Sequence, residues 1–266
     1  MITDPGGDLL EVRSLCKDFH LRSSWRRRST LLNAVKNVSF TVPHSGSLAI
    51  VGETGSGKTT TARIIVGLET PTSGEIRFAG NVLRTRPNRA DRRARARLIQ
   101  MVFQNPFTSL DAHQSIASAI EEVIAFHQVR PAERRAERVA ELFQQVGLDA
   151  RLGSRSPRQL SGGQCQRAAI ARALAAEPDL LVLDEAVSAL DVSTQAQILN
   201  LLSDLRDQLN IAVLMISHDL AVVRQVAEDV VVMYRGEIVE SGHVDSVLSS
   251  SVHPYTRRLV ASVPSC

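Results

Sequence analysis

Residues 52–59 read Gly-Glu-Thr-Gly-Ser-Gly-Lys-Thr and match G-x-x-x-x-G-K-[ST], the pattern of nucleotide phosphate-binding loops. The apolar residues 48–51 before the loop predict a buried strand, and residues 60–68 after it predict a helix that ends near Gly67. A strand, a glycine-rich turn and a helix in this order are the context that the motif requires. The chain must therefore place an α/β core around this turn.

The residue types explain how such a loop binds phosphate. Glycines let the backbone approach an anion closely, successive N–H groups form a concavity, and the helix N-terminus adds its positive end. Lys58 is expected to reach the β- and γ-phosphates, and the Thr59 hydroxyl is expected to bind Mg²⁺. The predicted nucleotide contacts in this stretch are Gly52, Glu53, Thr54, Gly55, Ser56, Gly57, Lys58, Thr59 and Thr60.

Length and charge set limits on the class of protein. With 266 residues, 44% of them hydrophobic, the chain suits one domain with a large core, with or without a subdomain. The net charge is only +3, and of the 31 basic residues only three are lysines, one of them Lys58. Polar N-terminal residues predict no signal peptide. No apolar run approaches the ~18 residues of a membrane helix, so we expect a chain that does not cross a bilayer by itself.

Three cysteines stand far apart in the sequence: Cys16, Cys165 and Cys266. Their odd number and wide spacing fit neither a metal site nor a disulfide framework. A reducing compartment is therefore the expected location.

Apolar segments recur along the chain and predict an α/β fold. Strands are expected at residues 9–13, 38–42, 75–79, 98–103, 180–185, 211–216, 230–234 and 237–240, and a long helix at 192–209. Helical patterns at 115–126 and 131–146 interrupt this series and predict a helical subdomain, placed at residues 105–176. The domain prediction is a single domain over residues 1–266 that contains this subdomain and ends in a short tail at 243–266, which forms short helices or coil.

Two acids end the apolar strand predicted at residues 180–185. Such a strand is typical of the centre of a parallel sheet, and ligands bind at its carboxyl end. Asp184 is predicted to hold Mg²⁺, and Glu185 to act on the attacking water as general base or positioning group. His218 follows another predicted strand and can donate to a phosphate oxygen, although a lone histidine is more often structural.

Other polar segments allow two interpretations each. Ser161 before the helix predicted at 166–176 is an ordinary helix cap, but the same geometry is also an anion site. Arginine-rich segments at 21–30, around Trp25, and at 84–97 could bind phosphate or nucleic acid, yet a solvated loop and an exposed, partly helical segment are favoured. Phe19 could stack on an adenine ring or belong to the core.

The order of these motifs resembles that of the ATP-binding subunits of ABC transporters. The residues that carry the resemblance are 52–59, Gln104, 160–164, 180–185, 188–191 and His218, and it extends over about residues 9–264. It implies an α/β P-loop NTPase fold with a mixed-sheet core, an N-terminal antiparallel β subdomain and an inserted helical subdomain. The implied activity is ATP hydrolysis coupled to transport, with ATP and Mg²⁺ as cofactors.

The resemblance also implies roles for single residues. Phe19 corresponds to the adenine-stacking aromatic, and Gln104 to the glutamine that contacts Mg²⁺ and the attacking water and senses the membrane partner. Glu185 corresponds to the catalytic carboxylate and His218 to the switch histidine on the γ-phosphate. Asp191 corresponds to a contact across the dimer.

Partners follow from the same resemblance. The signature residues Ser161, Gly162, Gly163 and Gln164 are implied to complete the site of a second ATP-binding subunit in a head-to-tail dimer. Two membrane-spanning permease subunits and an extracytoplasmic substrate-binding protein are implied as further partners, with no nucleic acid. The expected location is peripheral, on the cytoplasmic face of the plasma membrane.

Within the family, the chain is most similar to the peptide and nickel importer branch. Residues 103–110, residues 188–197 and the tail at 253–256 with 263–264 carry this similarity. Subunits of this branch can carry a cysteine cluster beyond the tail. Because the sequence ends at Cys266, no iron–sulfur cluster is expected.

Three positions depart from the family pattern: Ala186 stands where proline is usual, Cys165 where arginine is common, and Asn105 where aspartate is frequent. None removes a catalytic group, but each could slow hydrolysis. The resemblance implies a subunit that energises an importer of peptides. Nickel or another small solute as cargo, an exporter subunit, and a soluble ABC-type ATPase acting on nucleic acid remain as alternatives. A GTPase is disfavoured because no Asn-Lys-x-Asp motif occurs.

Overall fold

A computed structural model describes residues 7–22 and 29–262 of the chain. In chain order its elements are β1 (Asp8–Arg22), β2 (Ser29–Pro43), β3 (Ser47–Val51), α1 (Lys58–Val66), β4 (Ser73–Phe78), β5 (Asn81–Val82), α2 (Arg89–Leu98), β6 (Ile99–Val102), α3 (Ile116–His127), α4 (Arg135–Gln145), α5 (Gly162–Leu174), β7 (Leu180–Asp184), α6 (Val192–Leu209), β8 (Ala212–Ser217), α7 (Leu220–Val226), β9 (Asp229–Tyr234), β10 (Glu237–His243), α8 (Val244–Ser250) and α9 (Pro254–Ala261). Among the described residues, no helix has the length and apolarity needed to cross a membrane.

The chain forms two compact units. The first comprises residues up to 92 together with those from 212 onward, and the second comprises residues 93–211. The first unit contains an antiparallel sheet in the order β2-β1-β4-β5. The expected antiparallel β subdomain is therefore present at the N-terminal end of the sequence.

Strands β1 and β2 are three times as long as predicted, at 15 residues each, and pair from Asp8↔Pro43 to Arg22↔Ser29. Register shifts interrupt the pairing and break the alternation by which a strand is recognised. Among the residues of these strands whose side chains the structure describes, the buried ones lie between Leu9 and Leu15 and between Val35 and Val42, and the two predicted strands fall within those stretches. Residues 21, 22, 29 and 30 of the loop predicted at 21–30 belong to β1 and β2, and Trp25 lies outside the described residues.

A mixed sheet in the first unit places the phosphate loop. Strand β3 pairs in parallel with β8 and with β9, and β9 pairs antiparallel with β10. All five residues of β3 and all six of β8 are buried, as expected of strands covered on both faces. Because Val51 pairs with Ser217 in this parallel pair, the segments that follow β3 and β8 both leave the sheet at its carboxyl end.

The second unit contains three packed helices and a parallel strand pair. Helices α3, α4 and α5 pack against one another. Their apolar side chains Ile120, Ile124, Leu142, Ile170 and Leu174 are fully or almost fully buried. These helices fall within the subdomain predicted at 105–176. Strands β6 and β7 pair in parallel, with Val102 opposite Leu183.

Several boundaries differ from the sequence prediction. Helix α5 begins at Gly162 rather than near 166, because Ser161 caps it directly. The helix predicted from Pro131 begins as a short 3-10 turn, Ala132–Arg134, and becomes α-helical only at Arg135. The segment 84–97 is not exposed throughout, because Asp91, Arg95 and Ala96 are half-buried. Burial lowers the pKa of Arg95 to about 10.

Candidate nucleotide site

The phosphate loop connects the buried strand β3 to helix α1 in the order that the motif predicts. Its first glycine, Gly52, has a φ of 152°, and a Cβ there would lie 2.2 Å from the carbonyl oxygen of Met233 in β9. Only glycine fits so close to a neighbouring strand with this backbone conformation. The site requires glycine here because the sheet itself lies against the loop.

The side chain of Lys58 lies over the loop and is only 4% exposed. Its Nζ donates hydrogen bonds to the carbonyl oxygens of Gly52, at 2.6 Å, and of Glu53, at 2.9 Å. Thr59 and Thr60 belong to the first turn of α1, which contains no acidic residue. This donor set, an ammonium group beside a helix N-terminus and a glycine-rich turn, fits a triphosphate.

His218 and Phe19 also lie in the first unit. His218 is exposed and directly follows β8. Because Val51 pairs with Ser217, His218 lies at the same carboxyl end of the sheet as the start of the phosphate loop. Phe19 lies in β1, with the ammonium of Lys17 4.8 Å from its ring centroid. A cation over the ring occupies one face of Phe19 in this state.

In the second unit, Gln104 and Glu185 are in direct contact. Val102 and Leu183 pair in the parallel ladder, so the residues two positions beyond each emerge together at its carboxyl end. There Gln104 Nε2 donates to Glu185 Oε2 at 2.9 Å. Asp184, the residue before Glu185, is the last residue of β7 and is largely buried. The amide and one of the two acids that the sequence singled out are thus hydrogen-bonded, and with the adjacent Asp184 they make up the polar cluster at the end of β7.

Glu185 has a strained backbone, with a φ of 48° at a residue that is not glycine. The backbone N–H of Ser188 donates to the Glu185 carbonyl oxygen at 3.1 Å, and the Ser188 hydroxyl donates to it at 2.9 Å. These two hydrogen bonds stabilise the turn that carries the Glu185 side chain. The following Ala186 is buried and stands where the family usually has proline.

The signature segment forms the N-terminus of α5. Ser161 Oγ accepts from the backbone N–H of Gln164, and Gln164 Oε1 accepts from the backbone N–H of Ser161, which is a reciprocal capping box. A Cβ on Gly163 would lie 2.5 Å from Thr194 Cγ2, so this glycine permits close packing against α6. The helix-cap interpretation of Ser161 is confirmed.

Asp191 caps helix α6 in the same way. Its carboxylate accepts from the backbone N–H of Thr194 at 2.9 Å and from the Thr194 hydroxyl at 2.7 Å, and these bonds lower the pKa of Asp191. Cys165, in the first turn of α5, is buried, and burial raises the pKa of its thiol to about 11. The thiol is therefore neutral where an arginine would carry charge.

One residue near the phosphate loop escaped the sequence analysis. The backbone N–H of Glu53 donates to the hydroxyl of Tyr255 at 2.7 Å. Tyr255 lies in the tail segment 253–256, which was singled out only for its similarity to one branch of the family. Because the partners are 202 positions apart in the sequence, no local pattern predicts the contact.

Comparison with known proteins places the chain. Residues 35–188 match the sequence pattern of the family described as ABC transporter. The chain belongs to the ABC transporter family. This ABC protein is therefore an ATP-binding, ATP-hydrolysing α/β protein, as the motif order implied.

Relatives of this ABC protein are known from curated sequences. It is 44% identical over 258 residues to the probable peptide ABC transporter ATP-binding protein y4tS of Sinorhizobium fredii, covering 96% of this chain and 72% of that protein. It is 45% identical over 266 residues to the glutathione import ATP-binding protein GsiA of Salmonella typhimurium, covering 97% of this chain. The chain spans only 42% of the length of GsiA.

Solved structures of ABC proteins share the fold. The dimeric ATP-binding cassette MJ0796, in a post-hydrolysis state bound to ADP and Pi, superposes with a TM-score of 0.78 at 28% identity, covering 88% of this chain and 98% of that one. CbiO1 of Clostridium perfringens, part of the ABC transporter complex cbiONQ, gives a TM-score of 0.78 at 26% identity and covers 91% of each chain.

Proposed function

We propose that this chain is the ATP-hydrolysing subunit that powers an ABC importer of peptides. The observation that carries the proposal is the 44% identity to y4tS, over 96% of this chain, together with the similar identity to GsiA. The first is named for peptides, and glutathione, for which the second is named, is itself a small peptide. The cargoes named for these two relatives, peptides and glutathione, both contain peptide bonds.

The chain's own residues supply the substrate site. In this proposal Lys58 and the N–H groups of residues 53–59 would bind the β- and γ-phosphates, and the Thr59 hydroxyl, Gln104 and Asp184 would hold Mg²⁺. When bound, Mg²⁺ neutralises charge on the phosphate oxygens. Phe19 stacks on the adenine.

Hydrolysis is assigned to the polar cluster at the end of β7. Glu185 takes a proton from the attacking water or orients it, and the hydrogen bond from Gln104 fixes the direction of its carboxylate. His218 donates to a γ-phosphate oxygen. The pairing of Val51 with Ser217 supports this role, because it makes His218 and the phosphate loop follow neighbouring strands at the same end of the sheet.

A second ATP-binding subunit, identical or related, completes the site. Ser161, Gly162, Gly163 and Gln164 at the N-terminus of α5 face the triphosphate of the partner in a head-to-tail dimer, and Asp191 contacts the partner across the interface. MJ0796, whose fold this chain shares, forms a dimer. Two permease subunits and an extracytoplasmic binding protein complete the importer, which places this subunit peripherally on the cytoplasmic face of the plasma membrane.

The test is reconstitution of the complete transporter. The chain is coexpressed with any membrane proteins and binding protein encoded beside it, and ATP turnover in proteoliposomes is measured with di-, tri- and oligopeptides, with glutathione and with Ni²⁺. Stimulation by peptides alone is the expected result. Stimulation by Ni²⁺ alone would favour a metal importer, and turnover coupled to efflux would favour an exporter.

A further inference from the structure

A single peptide group connects the phosphate-loop lysine to the tail of the chain. The carbonyl oxygen of Gly52 accepts from Lys58 Nζ at 2.6 Å, and the N–H of Glu53 donates to the Tyr255 hydroxyl at 2.7 Å. These two groups belong to the same peptide bond, between Gly52 and Glu53. Because a peptide bond is planar, the direction of its N–H fixes the direction of its carbonyl. Tyr255 thereby sets the orientation of the oxygen to which Lys58 is bonded.

Tyr255 is itself held firmly in place. It is 2% exposed, and its ring stacks on that of Tyr234 with 4.3 Å between the centroids. Its backbone N–H donates to His253 Nδ1, which caps helix α9. The carboxylate of Glu240, in β10, accepts from the backbone N–H groups of Val252 and His253 at 2.8 and 3.1 Å. The hydroxyl therefore sits at the end of a rigid support.

We propose that Tyr255 is a positioning residue for ATP, which holds the first peptide of the phosphate loop so that Lys58 and the loop N–H groups meet the phosphates without rearrangement. The proposal rests on the ATP-binding role given above and adds a residue of the C-terminal tail to that site. The role proposed for Tyr255 is to position the loop and not to bind phosphate itself. It acts through the Gly52–Glu53 peptide.

Loss of the hydroxyl would free this peptide to rotate, but would not unfold the loop. A separate hydrogen bond, from the Gly236 N–H to the Ser56 carbonyl oxygen at 2.9 Å, holds the other half of the loop to the turn between β9 and β10. If the rotated loop predominates, only a minor fraction of the protein can bind ATP, and the apparent affinity falls in proportion to that fraction. Loss of the Tyr255 hydroxyl should therefore affect nucleotide binding rather than folding.

The test compares Tyr255→Phe with the parent chain. Phenylalanine keeps the ring and its stacking on Tyr234 and removes only the hydroxyl. We expect the KM for ATP and the equilibrium dissociation constant for ATP to rise by about tenfold, and kcat to stay within about twofold, because ground state and transition state lose the same binding. The thermal midpoint without nucleotide is measured on the same samples.

Tyr234→Phe is the matched control. It removes a hydroxyl from the ring stacked on Tyr255, and in the described part of the chain that hydroxyl makes no hydrogen bond to the phosphate loop. It should bind ATP like the parent. A third variant, Glu240→Gln, leaves Tyr255 intact but weakens its support, and should raise the KM in the same direction by a smaller factor.

The outcomes separate a positioning role from a packing role. A raised KM in Tyr255→Phe with an unchanged KM in Tyr234→Phe supports the proposal. A lowered thermal midpoint with an unchanged KM, or equal effects of the two phenylalanine variants, overturns it. A parent chain that binds no ATP would refute the proposed function and this inference with it, a result distinct from a variant that binds like the parent.

Discussion

Replacing Glu185 by glutamine tests the assignment of the catalytic carboxylate. The change keeps the shape of the side chain, and the new amide oxygen can still accept the 2.9 Å hydrogen bond from Gln104 Nε2. The two hydrogen bonds from Ser188 to the Glu185 carbonyl oxygen do not involve the side chain and are retained. Only the negative charge and the ability to accept a proton are lost. A positioned general base contributes roughly 10²–10⁴-fold, so the hydrolysis rate should fall by this factor, equivalent to ~2.7–5.5 kcal/mol.

The assay is single-turnover hydrolysis with protein in excess over ATP, so that dissociation of products does not limit the observed rate. ATP affinity is measured separately by equilibrium binding. We expect it to stay within about twofold of the parent, because residues 52–59 are unchanged and the cost falls on the transition state alone.

Glu133→Gln is the control for the loss of one negative charge. Glu133 is exposed in the short turn Ala132–Arg134. The Glu133→Gln variant should therefore hydrolyse ATP at the parent rate. A Glu185→Gln variant that turned over ATP as fast as the parent would show that the proton acceptor lies elsewhere. Loss of ATP binding in that variant would contradict the reasoning equally, because the carboxylate would then serve binding.

Two further changes address the phosphate loop. Lys58→Ala should abolish the thermal stabilisation by Mg-ATP. For the parent chain, Mg-ATP at a hundred times its dissociation constant stabilises by ~2.7 kcal/mol. A variant stabilised as much as the parent would refute the role of the lysine. Gly52→Ala should lower the free energy of unfolding in urea by ~3 kcal/mol, because its Cβ would meet Met233 O at 2.2 Å. Gly55→Ala, with no atom within 4 Å of its Cβ, should cost only ~1 kcal/mol of backbone strain, and equal costs at the two glycines would contradict the packing argument.

Local patterns were sufficient where an element carries its own signals. Helix α6 has the predicted bounds, Val192–Leu209, because the Asp191 cap and the left-handed Asn210 mark its ends. The apolar strand β7 was also placed correctly. The outer halves of β1 and β2 were missed because those residues are stabilised by pairing with each other, which the alternation of buried and exposed side chains does not reveal.

The sequence by itself determined the chemistry of this protein: a glycine-rich loop with Lys58, two acids after an apolar strand, and a family order that makes it an ABC ATPase. Only the tertiary structure decided which of these groups meet. Gln104 reaches Glu185 across 81 positions because Val102 pairs with Leu183, and Tyr255 reaches Glu53 across 202. Strand pairing and helix docking join residues that no local pattern relates, and those contacts orient the groups that the motifs supply.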